Sequence, residues 1–161
     1  MYAKNVWKNV NEKKVKEIMD FNEGYKSYIS LGKTERLCVD EAVRIAEKEG
    51  YKNITSFKSL KTGDKVYALN KNKNIALFII GKKAMTDGLR ILGAHIDSPR
   101  LDVKQNPLYE KEEFALLDTH YYGGIKKYQW VTIPLAIHGV ICKKDGSTIN
   151  VNIGEEENDP V

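Results

Sequence analysis

The chain has 161 residues, 42% hydrophobic and 30% charged, a balance that fits a soluble globular protein of one domain or pieces of two. Its net charge of +4 comes from 26 basic and 22 acidic residues interleaved along the chain, which argues against the clustered basic face of a nucleic-acid binder. No apolar run approaches the roughly 20 residues of a membrane helix, and the polar N-terminus lacks the apolar core of a secretory signal.

Residues 11–31 carry Val15, Ile18, Met19, Tyr25 and Ile29 near a 3.6 period, which predicts a helix stopped by Gly32. A second helix is expected over 34–48. Thr34 suits the N-cap, the apolar stripe includes Leu37, Val39, Val43 and Ala46, and Gly50 suits a left-handed C-terminal position. Cys38 lies on this helix as a small apolar residue. The other cysteine, Cys142, is far away, and no CxxC is present. This favours neither a disulfide framework nor a zinc knuckle and points to a reducing, cytoplasmic compartment.

The texture then turns to strands. KVYALN (65–70) and IALFIIG (75–81) read as a hairpin joined by a polar loop. Residues 89–95 read as a third, mostly apolar and therefore central strand. Helices followed by strands predict an α/β layer of helices on a mixed sheet. Beyond Pro99 the pattern is all-β. RLDVKQ (100–105) alternates, Asn106–Pro107 suggests a turn, and 114–119, 130–143 and 147–153 are further strand candidates. Lys144, Asp145 and Gly146 form a tight-turn signal between the last two. Pro134 belongs at a bulge, an edge or a strand start. The acidic stretch 154–160 reads as a solvated loop, and the β region looks interrupted partway through a second domain.

The segment that carries chemistry is LRILGAHIDSPRLDVK, residues 89–104. It describes a strand delivering His95 at its C-terminal end, where open α/β sheets place their ligand sites. Asp97 follows at a spacing that lets its carboxylate accept from the imidazole, as the partner of a metal-bound histidine does. Alone, His-x-Asp more often marks a structural histidine bonded to a neighbouring acid. His120 and His138 show no ligand partners and read as structural. Gly123–Gly124 is too short to cradle a phosphate. Tyr121, Tyr122, Tyr128 and Trp130 suit either a subunit interface or strand-pair packing. No G-x-S-x-G elbow is present.

The wider context resembles a known family. GAHIDSPRLDVKQNPLYE is similar to the zinc-ligand segment of the M18 metalloaminopeptidases, the aspartyl-aminopeptidase family, whose hallmark here is His-x-Asp-Ser-Pro. The TERLCVDEAVRIAEKEGY helix, the GDKVYALNKNKNIALFIIG hairpin and the YYGGI turn appear in the family's order. The resemblance runs from about Thr34 to Val161 and implies an α/β fold. Residues 1–99 would be the N-terminal part of the catalytic domain, and residues 100–161 the start of an inserted β-rich oligomerisation domain. It implies a dinuclear Zn2+ aminopeptidase acting on peptides, in dimers that build a larger shell. His95 would be a ligand to one zinc, and Asp97 the catalytic-site acid that holds it. Ser98 and Pro99 match the hallmark and shape the exit from the strand.

The family's remaining ligands (a bridging aspartate, a glutamate, a further aspartate and a second histidine) and its glutamate general base lie beyond the inserted domain. They fall outside this chain. A catalytic zinc takes about three protein ligands, so the 161-residue chain is expected to be inactive alone. Two rivals stand beside this reading. One is a related two-zinc peptidase with the same strand-end His-x-Asp. The other is a non-catalytic assembly or peptide-binding module that recruits partners through exposed β edges.

Overall fold

The structure is a computed structural model and describes residues 5–159. Of the two ends named above, the first four residues of the polar N-terminus and, at the other end, Pro160 and Val161 lie outside the described residues. The chain divides into two compact units, with the division between Gly93 and Ala94.

In the first unit, helix α1 (Glu12–Leu31) starts at Asn11, whose side chain accepts from the Lys14 amide at 2.9 Å. It ends at Gly32, whose amide donates to the Tyr28 carbonyl. Helix α2 (Glu35–Lys48) starts at Thr34, whose hydroxyl accepts from the Leu37 amide at 3.3 Å. At its other end the Tyr51 and Gly50 amides donate to the Ala46 and Glu47 carbonyls, at 2.9 and 3.0 Å. Gly50 has φ +88°. This is the Schellman closure that a glycine at this position permits.

The sheet of this unit has the order β1–β2–β3, formed by Lys52–Asn53, Lys65–Asn70 and Asn74–Ile79. β1 runs parallel to β2, and β2 and β3 form the expected hairpin. The turn holds Lys71 and Asn72 at positive φ. Both are tied back to α2. Arg36 Nη1 donates to the Lys71 carbonyl at 3.1 Å, and Asn72 Nδ2 donates to Asp40 Oδ1 at 3.4 Å. The core forms where α2 meets the sheet. Val39 and Val66 are fully buried, with Cys38, Ala46 and Tyr67 around them. Tyr67 donates to Glu47 Oε1 at 2.8 Å, so its polar end is satisfied as the ring is buried. The two-residue strand β1 has too little pattern for sequence to reveal.

The third strand expected over 89–95 is not formed. Those residues have no regular structure, and Leu89, Ile91 and Leu92 are exposed. A strand exists only through a ladder of hydrogen bonds to a neighbour, and no described residue pairs with this segment. Apolar character signals a wish for burial, but it cannot supply the neighbour.

The second unit is built from two hairpins. β4 (Arg100–Lys111) pairs antiparallel with β5 (Phe114–Tyr122), and β6 (Ile137–Cys142) pairs antiparallel with β7 (Thr148–Ile153). The turn expected at Asn106–Pro107 is instead an irregularity within β4, where the register shifts between Val103 and Leu108. Proline lacks the amide a ladder needs and is accommodated at such a bulge. The chain reverses one step later, at Glu112 and Glu113, both with positive φ. Acidic residues are unusual there, so sequence gives no turn signal. The strand expected over 130–143 begins only at Ile137. Before it, Lys127–Trp130 forms a single helical turn, α3, and Pro134 precedes the strand. The 143–147 turn is as expected, with Gly146 at φ +83°.

Candidate functional site

The site is assembled at the mouth of the β4–β5 hairpin. Pro99 ends the irregular stretch and Arg100 begins β4, so His95 and Asp97 lie on the strap just ahead of the strand. The strap bends back on itself. His95 Nδ1 lies 3.0 Å from the Asp97 backbone carbonyl and 3.1 Å from Asp97 Oδ1. A carbonyl oxygen can only accept, so Nδ1 carries the proton and donates to both oxygens. In the neutral imidazole this placement of the proton is the tautomer that leaves the Nε2 lone pair open. The imidazole side chain is 84% exposed, so that lone pair is accessible. This is the form in which a histidine ligates a metal while its other nitrogen donates to a carboxylate.

Asp97 is held from its far side. The Tyr122 hydroxyl donates to Asp97 Oδ2 at 2.7 Å. Each carboxylate oxygen therefore has a separate donor, His95 on one and Tyr122 on the other. The Tyr122 hydroxyl, more than any other group, holds the Asp97 carboxyl below the usual carboxylate range. Backbone and His95 hydrogen bonds act in the same direction. The carboxylate stays ionised at neutral pH and acts purely as an acceptor.

Tyr122 is placed by register. It lies opposite Arg100 across the hairpin. The Arg100 guanidinium stacks 4.1 Å from the centre of the Tyr122 ring, in cation–π range. The same guanidinium donates to Asp102 Oδ1 at 2.7 Å and to the Ser98 carbonyl at 3.3 Å. Arg100 thus joins the ring of Tyr122 to the strap carrying Asp97. Gly123 has φ +72°, and a Cβ there would touch Pro99 at 3.4 Å. Glycine lets the chain turn away immediately after Tyr122 while passing over the proline.

Among the described residues no group of three or more His, Cys, Asp or Glu is arranged to hold a metal ion. The donor chemistry of His95 fits one zinc ligand, and structural and catalytic zinc sites take three or four. The residues present fit a part of a zinc site.

Comparison with known proteins decides the family. The family model described as aminopeptidase I zinc metalloprotease (M18) matches residues 28–161. The chain belongs to the M18 family. A probable M18 family aminopeptidase 1 from Clostridium acetobutylicum is 57% identical over 162 aligned positions, covering 98% of this chain and 35% of the relative. The crystal structure of aminopeptidase I from Borrelia burgdorferi superposes with a TM-score of 0.91 at 44% identity, over 98% of this chain and 39% of that one. The M18 aminopeptidase structure from Thermotoga maritima gives 0.88 at 45% identity, over 99% and 35%. The chain therefore spans about a third of the length of the relatives it matches, and its α/β architecture is that of their N-terminal portion.

Within this M18 chain, the structure brings His95 and Asp97 together. The other two histidines lie elsewhere. His120 is on β5, with Nδ1 3.1 Å from the Tyr121 carbonyl. His138 is on β6 with its side chain 10% exposed, and its Nε2 lies 3.3 Å from Glu155 Oε1. Glu155 is thus engaged and does not belong to a purely solvated run. Of the aromatic group, Tyr121 has the Lys127 ammonium 3.9 Å over its ring. Only Tyr122 reaches the site. Sequence reasoning missed Tyr122 and Arg100 as site residues, because their adjacency depends on a hairpin register set by the unsignalled turn at 112–113.

Proposed function

We propose that this chain is the N-terminal portion of a dinuclear-zinc aminopeptidase that removes N-terminal residues from peptides. The observation that carries the proposal is the Asp97-clamped imidazole of His95, with Nε2 open, inside the His-x-Asp-Ser-Pro stretch of an M18 chain. The names of the relatives support the aminopeptidase activity, and the family's description supports zinc.

His95 would hold one zinc through Nε2, and Asp97 would fix the tautomer and the ring's direction. When bound, the metal pair supplies Lewis-acid polarisation of the scissile carbonyl and activation of water. The contribution of this chain's own residues is orientation. A ring free to turn would lose ligand geometry, and a ring protonated on Nε2 could not ligate at all. The remaining ligands and the general base come from the part of the protein beyond this chain. The 161-residue chain alone is accordingly inactive, and the full-length enzyme is a cytoplasmic homo-oligomer.

The test is made on the full-length protein, by metal analysis and turnover of an aminoacyl p-nitroanilide. His95→Ala should lose activity and bound zinc. Asp97→Asn should lower metal affinity or rate by about 10–100-fold. Wild-type zinc content and turnover in His95→Ala would remove His95 from the site.

A second reading has its own observation. The two hairpins of the second unit leave backbone edges unpaired among the described residues. A non-catalytic assembly module would bind or oligomerise through those edges. It would do so unaffected by chelators and by His95→Ala, which separates it from the enzyme.

A further inference from the structure

We propose that Tyr122 is a positioning residue of the metal site, acting through Asp97 on His95. The proposal rests on the reading of His95 as a zinc ligand and extends it to the hairpin that follows.

Two hydrogen bonds form one chain. The Tyr122 hydroxyl donates to Asp97 Oδ2 at 2.7 Å, and His95 Nδ1 donates to Asp97 Oδ1 at 3.1 Å. The carboxylate bridges them, one oxygen to each donor. Such a bridge fixes the carboxylate plane, which a single bond from His95 leaves free to rotate about the Cβ–Cγ bond. Asp97 needs this restraint, because its side chain is 38% exposed and no dense packing holds it. Residues 88–99 have no regular structure, so secondary structure does not hold the strap either.

Tyr122 is itself well placed to serve as the anchor. It lies on a strand, opposite Arg100, and its ring is covered by the Arg100 guanidinium at 4.1 Å. That guanidinium is oriented by Asp102 Oδ1 at 2.7 Å and reaches the Ser98 carbonyl at 3.3 Å. The direction of a ligand on an irregular strap is therefore set by the first paired rung of the β4–β5 hairpin. The hairpin acts as a structural support for the metal site as well as a part of the second unit. Outer partners of ligating groups tune metal sites in this way, by orienting the ligand without touching the metal.

The experiment is a double-mutant cycle on the full-length protein, read as zinc affinity in competition with a graded chelator. The variants are Tyr122→Phe, Asp97→Ala, the pair together, and His95→Ala. Tyr122→Phe keeps the ring under Arg100 and removes only the hydroxyl. Thermal melts of the zinc-free forms check that each variant folds. Tyr122→Phe should weaken zinc binding about 10-fold, the lower end of outer-partner effects. It should add nothing further in the Asp97→Ala background, where the group it acts through is gone. Unchanged zinc affinity in Tyr122→Phe overturns the proposal. So does an effect that multiplies fully with that of Asp97→Ala, because Tyr122 would then act by another route. If His95→Ala retains wild-type zinc affinity, the reading beneath the proposal falls and the proposal falls with it. If only His95→Ala and Asp97→Ala lose zinc, that reading stands and Tyr122 has no part in it.

Discussion

Gly32 shows how tightly the junction of the two helices is fitted. A Cβ added there would lie 2.6 Å from Cys38 Sγ and 3.1 Å from the Tyr28 carbonyl oxygen. Neither neighbour is free to move. The Tyr28 carbonyl accepts the Gly32 amide at 2.9 Å, and the buried Cys38 thiol donates to the Gly32 carbonyl at 3.2 Å. Burial pushes the thiol's pKa up, so it remains protonated as the donor. Gly32→Ala should therefore destabilise the protein by about 1–3 kcal/mol, the usual cost of overpacking. Adding Cys38→Ala should restore part of that loss by removing the sulfur. Urea denaturation of the two variants checks both statements, and an unchanged midpoint in Gly32→Ala would refute the first. At this scale sequence reasoning located what is local. A glycine after a periodic stretch stops a helix, and an acid two residues from a histidine can reach its ring. Tyr122 was hidden because its bond to Asp97 spans 25 positions. Such a contact follows only from strand register.

In the loop after β7 one side chain gathers three backbone amides. Asp159 Oδ2 accepts from the amides of Gly154, Glu155 and Glu156, at 2.7, 3.2 and 3.2 Å. Those bonds, that from Gly154 foremost, hold the Asp159 carboxyl below the usual carboxylate range. Gly154 has φ +97°, and a Cβ there would come 3.1 Å from Ala136 Cα, so the loop is closed over the start of β6 by a residue without a side chain. The linkage has a definite sign. A carboxyl with a lowered native pKa stabilises the folded form fully above its unfolded value, about 3.9, and that stabilisation is lost as pH falls through the native value. The Gly154 amide should thus be protected from exchange near neutral pH and lose protection in acid below the ordinary carboxylate range. Asp159→Ala should be unprotected throughout, and equal protection factors in the two proteins would refute the assignment. Elements with local signals were legible in the sequence: both long helices, their caps at Thr34 and Gly50, the β2–β3 hairpin and the 143–147 turn. Elements that depend on partners were not. Residues 89–95 have the composition of a buried strand and no described partner. β4 runs through Pro107 because a bulge accommodates it, and the β4–β5 turn uses two glutamates in a backbone conformation that favours glycine.

At the scale of the molecule, the two units differ in what stabilises them. Among the described residues, every buried apolar side chain (Cys38, Val39, Ala46, Val66 and Tyr67) belongs to the first unit. The second unit has paired strands and bulky apolar residues but no buried one. Leu108, Phe114, Tyr128 and Val131 are each more than two-thirds exposed. Backbone pairing alone does not hold such a structure, because an isolated two-stranded hairpin is at best marginal in water. What stabilises a domain is apolar surface withdrawn from water, about 25 cal/mol per Å2. A polypeptide comprising residues 94–161 alone should accordingly lack a cooperative thermal transition and should bind a hydrophobic dye such as ANS. The full-length protein should melt cooperatively and bind little dye, since the proposed oligomer would cover those apolar faces. A sharp melt of the isolated piece as a monomer, without dye binding, would show that the hairpins stabilise themselves. The support that Tyr122 lends to Asp97 would then be built into the hairpin. If the piece fails to fold, that support depends on whatever covers the second unit, and zinc affinity should fall when the assembly is dissociated.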